Sequence, residues 1–388
     1  MVITRKPVRF IMSAIVGLVS SFMMASPVAD TMDTAKEHVE EHVEHGQEVS
    51  ASNDQKPEEV YAAIDHHLKD DYYYTFFHDS KTHEHFGFPL PVILFDNGLK
   101  IFSSSEFDYG NKVVEKDGQK YVLYHGKIYK TTTDDAAAAI SYDENHHPTN
   151  EKPVDFSITK NVVGLLLAAF LIFLGFTALA KTYKTSANNL PKGFARVLEP
   201  LVLYVRDEMA VPNIGQAKYK KFMPYLLSVF FLIFLLNILG LTPLGLNVTG
   251  NISVTLCLAV FTFFITNLNG NKDYWKHIFW MPGVPAPMKV VLAPIEVLGM
   301  FTKPFSLMIR LFANITAGHS VVMGLVSVVF LMKATLSTPG AVGISFLLTL
   351  FLTFLEILVA FLQAFIFTML SSLFIGQAVA EHDHDDHH

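Results

Sequence analysis

The sequence predicts an all-α polytopic membrane protein of about five membrane helices, two of them forming a long tilted antiparallel hairpin, with a small β-rich extramembrane N-terminal extension. Three observations carry this expectation. Hydrophobic residues make up 51% of the 388 residues, 33 of them phenylalanine, and the mean hydropathy is +0.34, too apolar for an ordinary soluble enzyme. The net charge of −7 is segregated: acidic residues and histidines crowd the first 150 positions and the last eight, leaving the apolar part sparsely charged. Beyond about residue 158, apolar runs approach or exceed the roughly 20 residues needed to cross a bilayer. The single cysteine, Cys257, sits in one of these runs, which excludes an intrachain disulfide framework and a cysteine-ligated metal site.

The N-terminus has a basic patch (Arg5, Lys6, Arg9), the apolar run FIMSAIVGLVSSFMM, and small residues around Ala25 and Ala29. That is the layout of a secretory signal peptide over residues 1–29, with an uncleaved signal anchor as the alternative. Residues 30–150 should then form a periplasmic extension. Its first part, DTMDTAKEHVEEHVEHGQEVSASNDQKPEE, is charged and poor in aromatics, which predicts disorder or a marginal helix. From about residue 86 the runs LPVILFDNGLKIFS and KVVEKDGQKYVLYHGKIYKT alternate, and Asn97-Gly98 and Asp117-Gly118 are type I′ hairpin signals. They predict a small antiparallel sheet. Eleven histidines lie between residues 30 and 147, and His38, His42 and His45 share a helical face. Nothing fixes their geometry, so a solvated tail is expected and no metal or cofactor.

Residues 151–388 form the membrane domain. Residues 161–180, 222–241 and 252–268 are three expected spans. Two longer apolar stretches follow, 290–332 and 341–376. At 1.5 Å per residue they would measure about 65 and 54 Å, against a hydrocarbon core of about 30 Å. Each must either break in two or run strongly tilted. Pro304 and Gly318 offer break points in the first, but the second has no proline between Gly340 and Gly376, which favours the tilted hairpin. The basic residues between Lys181 and Lys221 mark a cytoplasmic loop, and Lys272, Lys276 and Lys289 another. The C-terminus is therefore expected in the cytoplasm. FARVLEPLVLYVRDEM reads as an interfacial amphipathic helix.

Ionisable groups at membrane depth cost about 2.5 kcal/mol or more and are seldom kept without use. The first long stretch holds Glu296, Lys303, Arg310, Asn314 and His319; the second holds Glu356 and Gln363. Glu296, Lys303 and Arg310 are spaced by seven and share one helical face, as do Glu356 and Gln363. Asn314 stays near the arginine face, whereas His319 points to the opposite side of a straight helix. Lys303 and Lys333 fit snorkelling to an interface, and Asn314 and Gln363 fit interhelical hydrogen bonds. Arg310 has no acid within four residues to pair with.

The run KPFSLMIRLFANITAGH, followed by EILVAFLQAFIFTMLSSLFIGQA, resembles the proton-channel subunit a of the F-type ATP synthase membrane sector. Weaker similarity reaches back through LNILGLTP and NISVTLCLAVF, covering roughly residues 155–378. The resemblance implies a hairpin packed against a rotating ring of c subunits, each with a mid-membrane carboxylate. It implies that Arg310 faces the ring, that Glu296, His319 and Glu356 line an aqueous half-channel, and that Asn314 and Gln363 lie near the arginine. Asn237 is a further half-channel residue by the same resemblance, while Gly240 stands where some members carry an acid. His319 and Glu356 keep a His/acid pair of the family with its members exchanged. The partners implied are the c ring, a b-subunit peripheral stalk, the rest of the synthase and membrane lipid, with no nucleic acid and no ATP-hydrolysing site on this chain. Arginine suits the role because its charge survives an apolar setting that would deprotonate lysine. Two other classes fit less well. A secondary transporter would show internal repeats with interrupted helices, and a membrane haem or metal protein would need convergent histidines at membrane depth.

Overall fold

The structure is a computed structural model that describes residues 70–78, 85–143, 148–185, 193–242, 246–281, 283–333 and 338–380. The leader, the charged stretch with His38, His42 and His45, and the tail after residue 380 lie outside the described residues.

Eight strands come first: β1 (Tyr73–His78), β2 (His85–Pro89), β3 (Pro91–Phe95), β4 (Leu99–Ser103), β5 (Val114–Lys116), β6 (Gln119–Tyr124), β7 (Lys127–Thr131) and β8 (Val154–Asp155). They form three small antiparallel sheets, in orders β1-β2, β4-β3-β8 and β5-β6-β7, rather than the single sheet expected. Asp117-Gly118 makes the two-residue connection, with both residues at positive φ (51° and 76°) and Lys116 paired to Gln119. Asn97-Gly98 does not. Phe95 pairs with Leu99, leaving a three-residue connection. A second two-residue turn joins β6 to β7 through His125-Gly126, at φ 46° and 70°, where glycine tolerates the left-handed backbone that histidine gave no reason to expect.

The β region closes over Val92, Leu94, Phe107 and Tyr121. Within it the Tyr121 hydroxyl donates to Asp96 Oδ2 and accepts from Lys100 Nζ, both at 2.9 Å, while Lys130 Nζ donates to Asp96 Oδ1 at 2.9 Å. The Lys130 hydrogen bond holds the Asp96 carboxyl below the usual carboxylate range. Every member of this buried group has a partner, which removes most of the cost of burying charge.

Eight α-helices follow: α1 (Lys160–Thr185), α2 (Phe194–Tyr204), α3 (Val211–Ile214), α4 (Tyr219–Gly240), α5 (Ile252–Leu268), α6 (Lys272–Phe279), α7 (Ala286–Lys333) and α8 (Thr338–Val379). Among the described residues four helices are long and apolar enough to cross a membrane, or five if α5 and α6, which meet at a 104° bend, count as one broken span. The expected amphipathic segment is helical without a break but not α throughout: α2 passes through a π-helical turn, Val205–Ala210, into α3, and Pro212, which lacks an N–H, falls in the first turn of α3. The Tyr183 hydroxyl donates to Glu199, tying α2 to the end of α1.

Helix α4 is the centre of the membrane domain. Leu226, Phe230, Leu232, Ile233 and Leu236 are fully buried along it, and Tyr225 shares a 2.7 Å hydrogen bond with Thr262 of α5. The base of the β region joins this core through Tyr74 and Leu90. Asp70 supplies the α1 N-terminus, accepting from Asn161 N (3.0 Å) and Thr159 Oγ1 (3.1 Å). Burial outweighs those bonds and pushes its carboxyl up to about 6.

Helices α7 and α8 are continuous through 48 and 42 residues, or about 72 and 63 Å. Pro304 and Gly318 do not break α7. Both helices exceed a bilayer core twofold, so they must lie strongly tilted.

Candidate functional site

Among the described residues, two side-chain bonds mark the register between the two long helices. Gln363 Nε2 donates to the backbone carbonyl of Arg310 at 3.0 Å, and Lys303 Nζ donates to Gln377 Oε1 at 3.3 Å. Moving seven residues back along α7 moves the contact fourteen residues forward along α8, so the helices run antiparallel. Continuing the same direction sets Glu356 beside the turns of α7 that follow Arg310.

Each polar residue is positioned by the apolar pattern around it. On α7, Leu307, Met308 and Leu311 are buried, while Phe305 and Ile309 are exposed. At 100° per residue, Glu296, Lys303 and Arg310 fall on the flank between these faces. Arg310 is exposed and Glu296 and Lys303 are half-buried. The Lys303 ammonium also lies 5.2 Å from the Phe374 ring centroid, so α8 holds it in addition to any interface. Beside it a cleft is lined by Thr266, Asn267, Tyr274 and Phe374, and among the described residues the buried Thr266 hydroxyl has no hydrogen-bond partner.

On α8, Gln363 is 2% exposed and Glu356 half-buried. Asn237, near the end of α4, donates to the Ala360 carbonyl at 3.5 Å and accepts from Thr249 Oγ1 at 2.9 Å. It therefore meets α8 one turn before Gln363. Gly240 sits close to the Leu246 carbonyl, 3.2 Å from where a Cβ would be. Asn314 and His319 belong to α7, but their side chains lie outside the described residues.

The expected residues divide around Arg310. Glu296 precedes it by about 21 Å along α7 and His319 follows by about 14 Å. A single half-channel holding Glu296, His319 and Glu356 would therefore have to run past the arginine.

A family model described as the ATP synthase A chain matches residues 162–376. The chain belongs to the ATP synthase A chain family. That match contains Asn237, Glu296, Arg310, Asn314, His319, Glu356 and Gln363. A second model, described as a domain of unknown function (DUF8433), matches residues 63–156, the stretch that holds the sheets. Among curated relatives, ATP synthase subunit a 2 of Chlorobaculum tepidum is 48% identical over 240 residues, 60% of this chain and 66% of its own length. ATP synthase subunit a of Chlorobium phaeobacteroides is 46% identical over 239 residues, covering 60% and 68%. That of an Anaeromyxobacter species is 44% identical over 248 residues, covering 61% and 57%. The chain spans about two thirds of the length of the first two.

Several ATP synthase A chain residues in this site carry no advance signal in the sequence. Thr249 lies in an uncharged loop. Asn213 Nδ2 donates to Ser372 Oγ at 2.8 Å, and Lys218 Nζ and Asn271 Nδ2 both donate to the Val379 carbonyl, at 2.7 and 2.8 Å. Asn213, Lys218 and Asn271 hold α8 in place, and Thr249 holds Asn237.

Proposed function

We propose that this chain is the proton-conducting stator subunit of an F-type ATP synthase membrane sector. Arg310 is the fixed cation that an ionised carboxylate on a ring of c subunits meets during rotation, and a guanidinium that keeps its charge also blocks a direct proton leak. Glu356, with His319, serves the half-channel on the side of the β region, with Asn237 beside it. Glu296 serves the opposite, cytoplasmic half-channel, next to the cleft at Lys303. Asn314 and Gln363 steady the helix around the arginine. The proton-motive force supplies about 2.3 kcal/mol per charge per 100 mV.

The observation that carries this reading is the pose of α7 at Arg310: the side chain is exposed while its own carbonyl is held by a buried Gln363. A charge on a backbone fixed from behind and open in front suits a passing partner rather than a static ion pair. On the same reading residues 1–29 are a leader, 30–150 a periplasmic extension and 151–388 the membrane domain. The chain lies in a bacterial inner membrane with its C-terminus in the cytoplasm, contacts a b-subunit stalk, and carries no ATP-hydrolysing site.

The test is Arg310→Ala in the assembled complex. ATP synthesis in proteoliposomes should fall to background while the complex still purifies with its ring. Full ATP synthesis by that variant would sink the assignment.

A further inference from the structure

The outer side of the β4-β3-β8 sheet is apolar, while on its inner side Lys100 and Asp155 stand opposite Leu94. The inner side also sends Val92, Leu94 and Phe102 into the core. The outer side follows from the register. Leu99 pairs with Phe95 and Phe95 with Val154; Ile101 pairs with Ile93. The ladder continues beyond β8, because Phe156 N donates to the Ile93 carbonyl at 2.8 Å and Ile158 N to the Pro91 carbonyl at 3.1 Å. Residues directly opposite share a face. The outer face is therefore three rows: Leu99, Phe95 and Val154; Ile101, Ile93 and Phe156; Ser103, Pro91 and Ile158.

Eight of these nine residues are apolar. Leu99 is 62% exposed, Ile101 63%, Phe95 56% and Val154 47%. From strand spacing and rise the face covers about 300 Å², the size of the largest apolar patch on a typical soluble monomer, where such a patch marks an interaction surface. The lowest row identifies its occupant. Ile158 packs against the membrane-domain core and stands two residues before α1 begins at Lys160. Further along, Leu166, Phe170 and Leu174 of α1 are exposed within a candidate membrane span. The outer face of the sheet thus leads down to the start of α1, exposed apolar residues of α1 follow within the next turns, and none of the nine face residues is charged.

We propose that the outer face of the β4-β3-β8 sheet lies on the bilayer, with Phe95, Leu99, Ile101 and Phe156 at the boundary between headgroups and acyl chains of the leaflet that receives the start of α1. The rows span only about 13 Å along the strands, against a headgroup zone of roughly 5 to 8 Å per leaflet. Contact through the top row therefore requires the sheet to lean over the membrane rather than stand up from it. The inference rests on the membrane-spanning reading of α1 and not on the proton path.

Ile101→Trp and Leu99→Trp, each made with Trp275 and Trp280 replaced by Phe, report the environment directly in the full chain assembled with its complex. In nanodiscs of phosphatidylcholine and phosphatidylglycerol, lipids brominated along the acyl chain should quench both at least twofold, with blue-shifted emission. Blue-shifted emission without quenching overturns the proposal in favour of a protein cover, whether a second subunit or residues 1–69. Red-shifted, unquenched emission at both sites overturns it in favour of water. Loss of ATP synthesis in Arg310→Ala is a separate result and bears on neither outcome.

Discussion

Gly376 tests whether α8 must be seated to within an ångström. It lies against the backbone at Asn213, where an added Cβ would overlap the carbonyl oxygen and sit 2.8 Å from the carbonyl carbon. Both atoms are main chain of Asn213 in α3 and cannot rotate away, so Gly376→Ala must push α8 off by about 1 Å. Overpacking of this kind costs about 1 to 3 kcal/mol, and it strains the 2.8 Å bond between Asn213 and Ser372 one turn back. The same helix carries Gln363, about 20 Å away, so the displacement reaches the bond to the Arg310 carbonyl. A 1 Å misplacement remote from the chemistry can cost about 100-fold in rate. The expected result is a purified complex that melts several degrees lower and conducts protons at least tenfold more slowly, measured by quenching of a pH-sensitive dye in inverted vesicles. Gly343→Ala is the control on the same helix, since among the described residues nothing lies within 4 Å of its Cβ position. Equal stability and equal proton flow in the two variants would refute the argument.

Gln363→Leu removes the donor to the Arg310 carbonyl but keeps the volume; it should lower proton flow several-fold while costing about 1 kcal/mol of stability, and unchanged flow would reduce Gln363 to packing. His319→Ala should slow proton conduction more than Lys333→Ala, measured in the same vesicles, and equal effects would remove His319 from the path. Asp70→Asn addresses the junction above α1. Because the folded carboxyl titrates near 6 against an ordinary 3.8, the folded state binds the extra proton between those values and stability falls as pH rises through that window, by roughly 3 kcal/mol in all. The melting temperature of the native chain should therefore drop more between pH 4 and 6 than that of Asp70→Asn, and parallel curves would contradict the titration.

Much of the membrane domain was legible because hydrocarbon tolerates so few backbones. A spanning segment must be helical and apolar from end to end, so the run 252–268 coincides with α5 at both ends. The continuity of α7 was readable only by analogy with α8, since Pro304 falls in α7 and yet does not interrupt it. Spacing by seven identified which polar residues share a face of one helix. It carries no information about which turn of the neighbouring helix they meet. Gln363 illustrates this, since its bond goes to a main-chain carbonyl of Arg310, a group every residue possesses. The same limit applies to Gly376 and Asn213, brought together across more than 160 residues. In the β region the missed turn at His125 arose because only one of its two residues belongs to a strong turn pair, and the three-residue loop at Asn97 because a dipeptide signal does not count the residues between strands.

The placement of the polar residues has a physical logic along α8. The carbonyl of its last residue, Val379, accepts from Lys218 and Asn271, and its C-terminal third is clamped by Asn213. From Ala360 onward one face is buried. Before it the helix is open, with Phe346, Phe351, Phe354 and Leu358 all more than half exposed. The bonds from Asn237 to Ala360 and from Gln363 to Arg310 fall at the point where packing stops. A buried charge path needs rigid partners to hold its geometry and access to water or a partner to exchange protons. Only at such a boundary does one helix turn offer both, so the arginine stands beside the last well-packed turn of α8 rather than in the middle of either half.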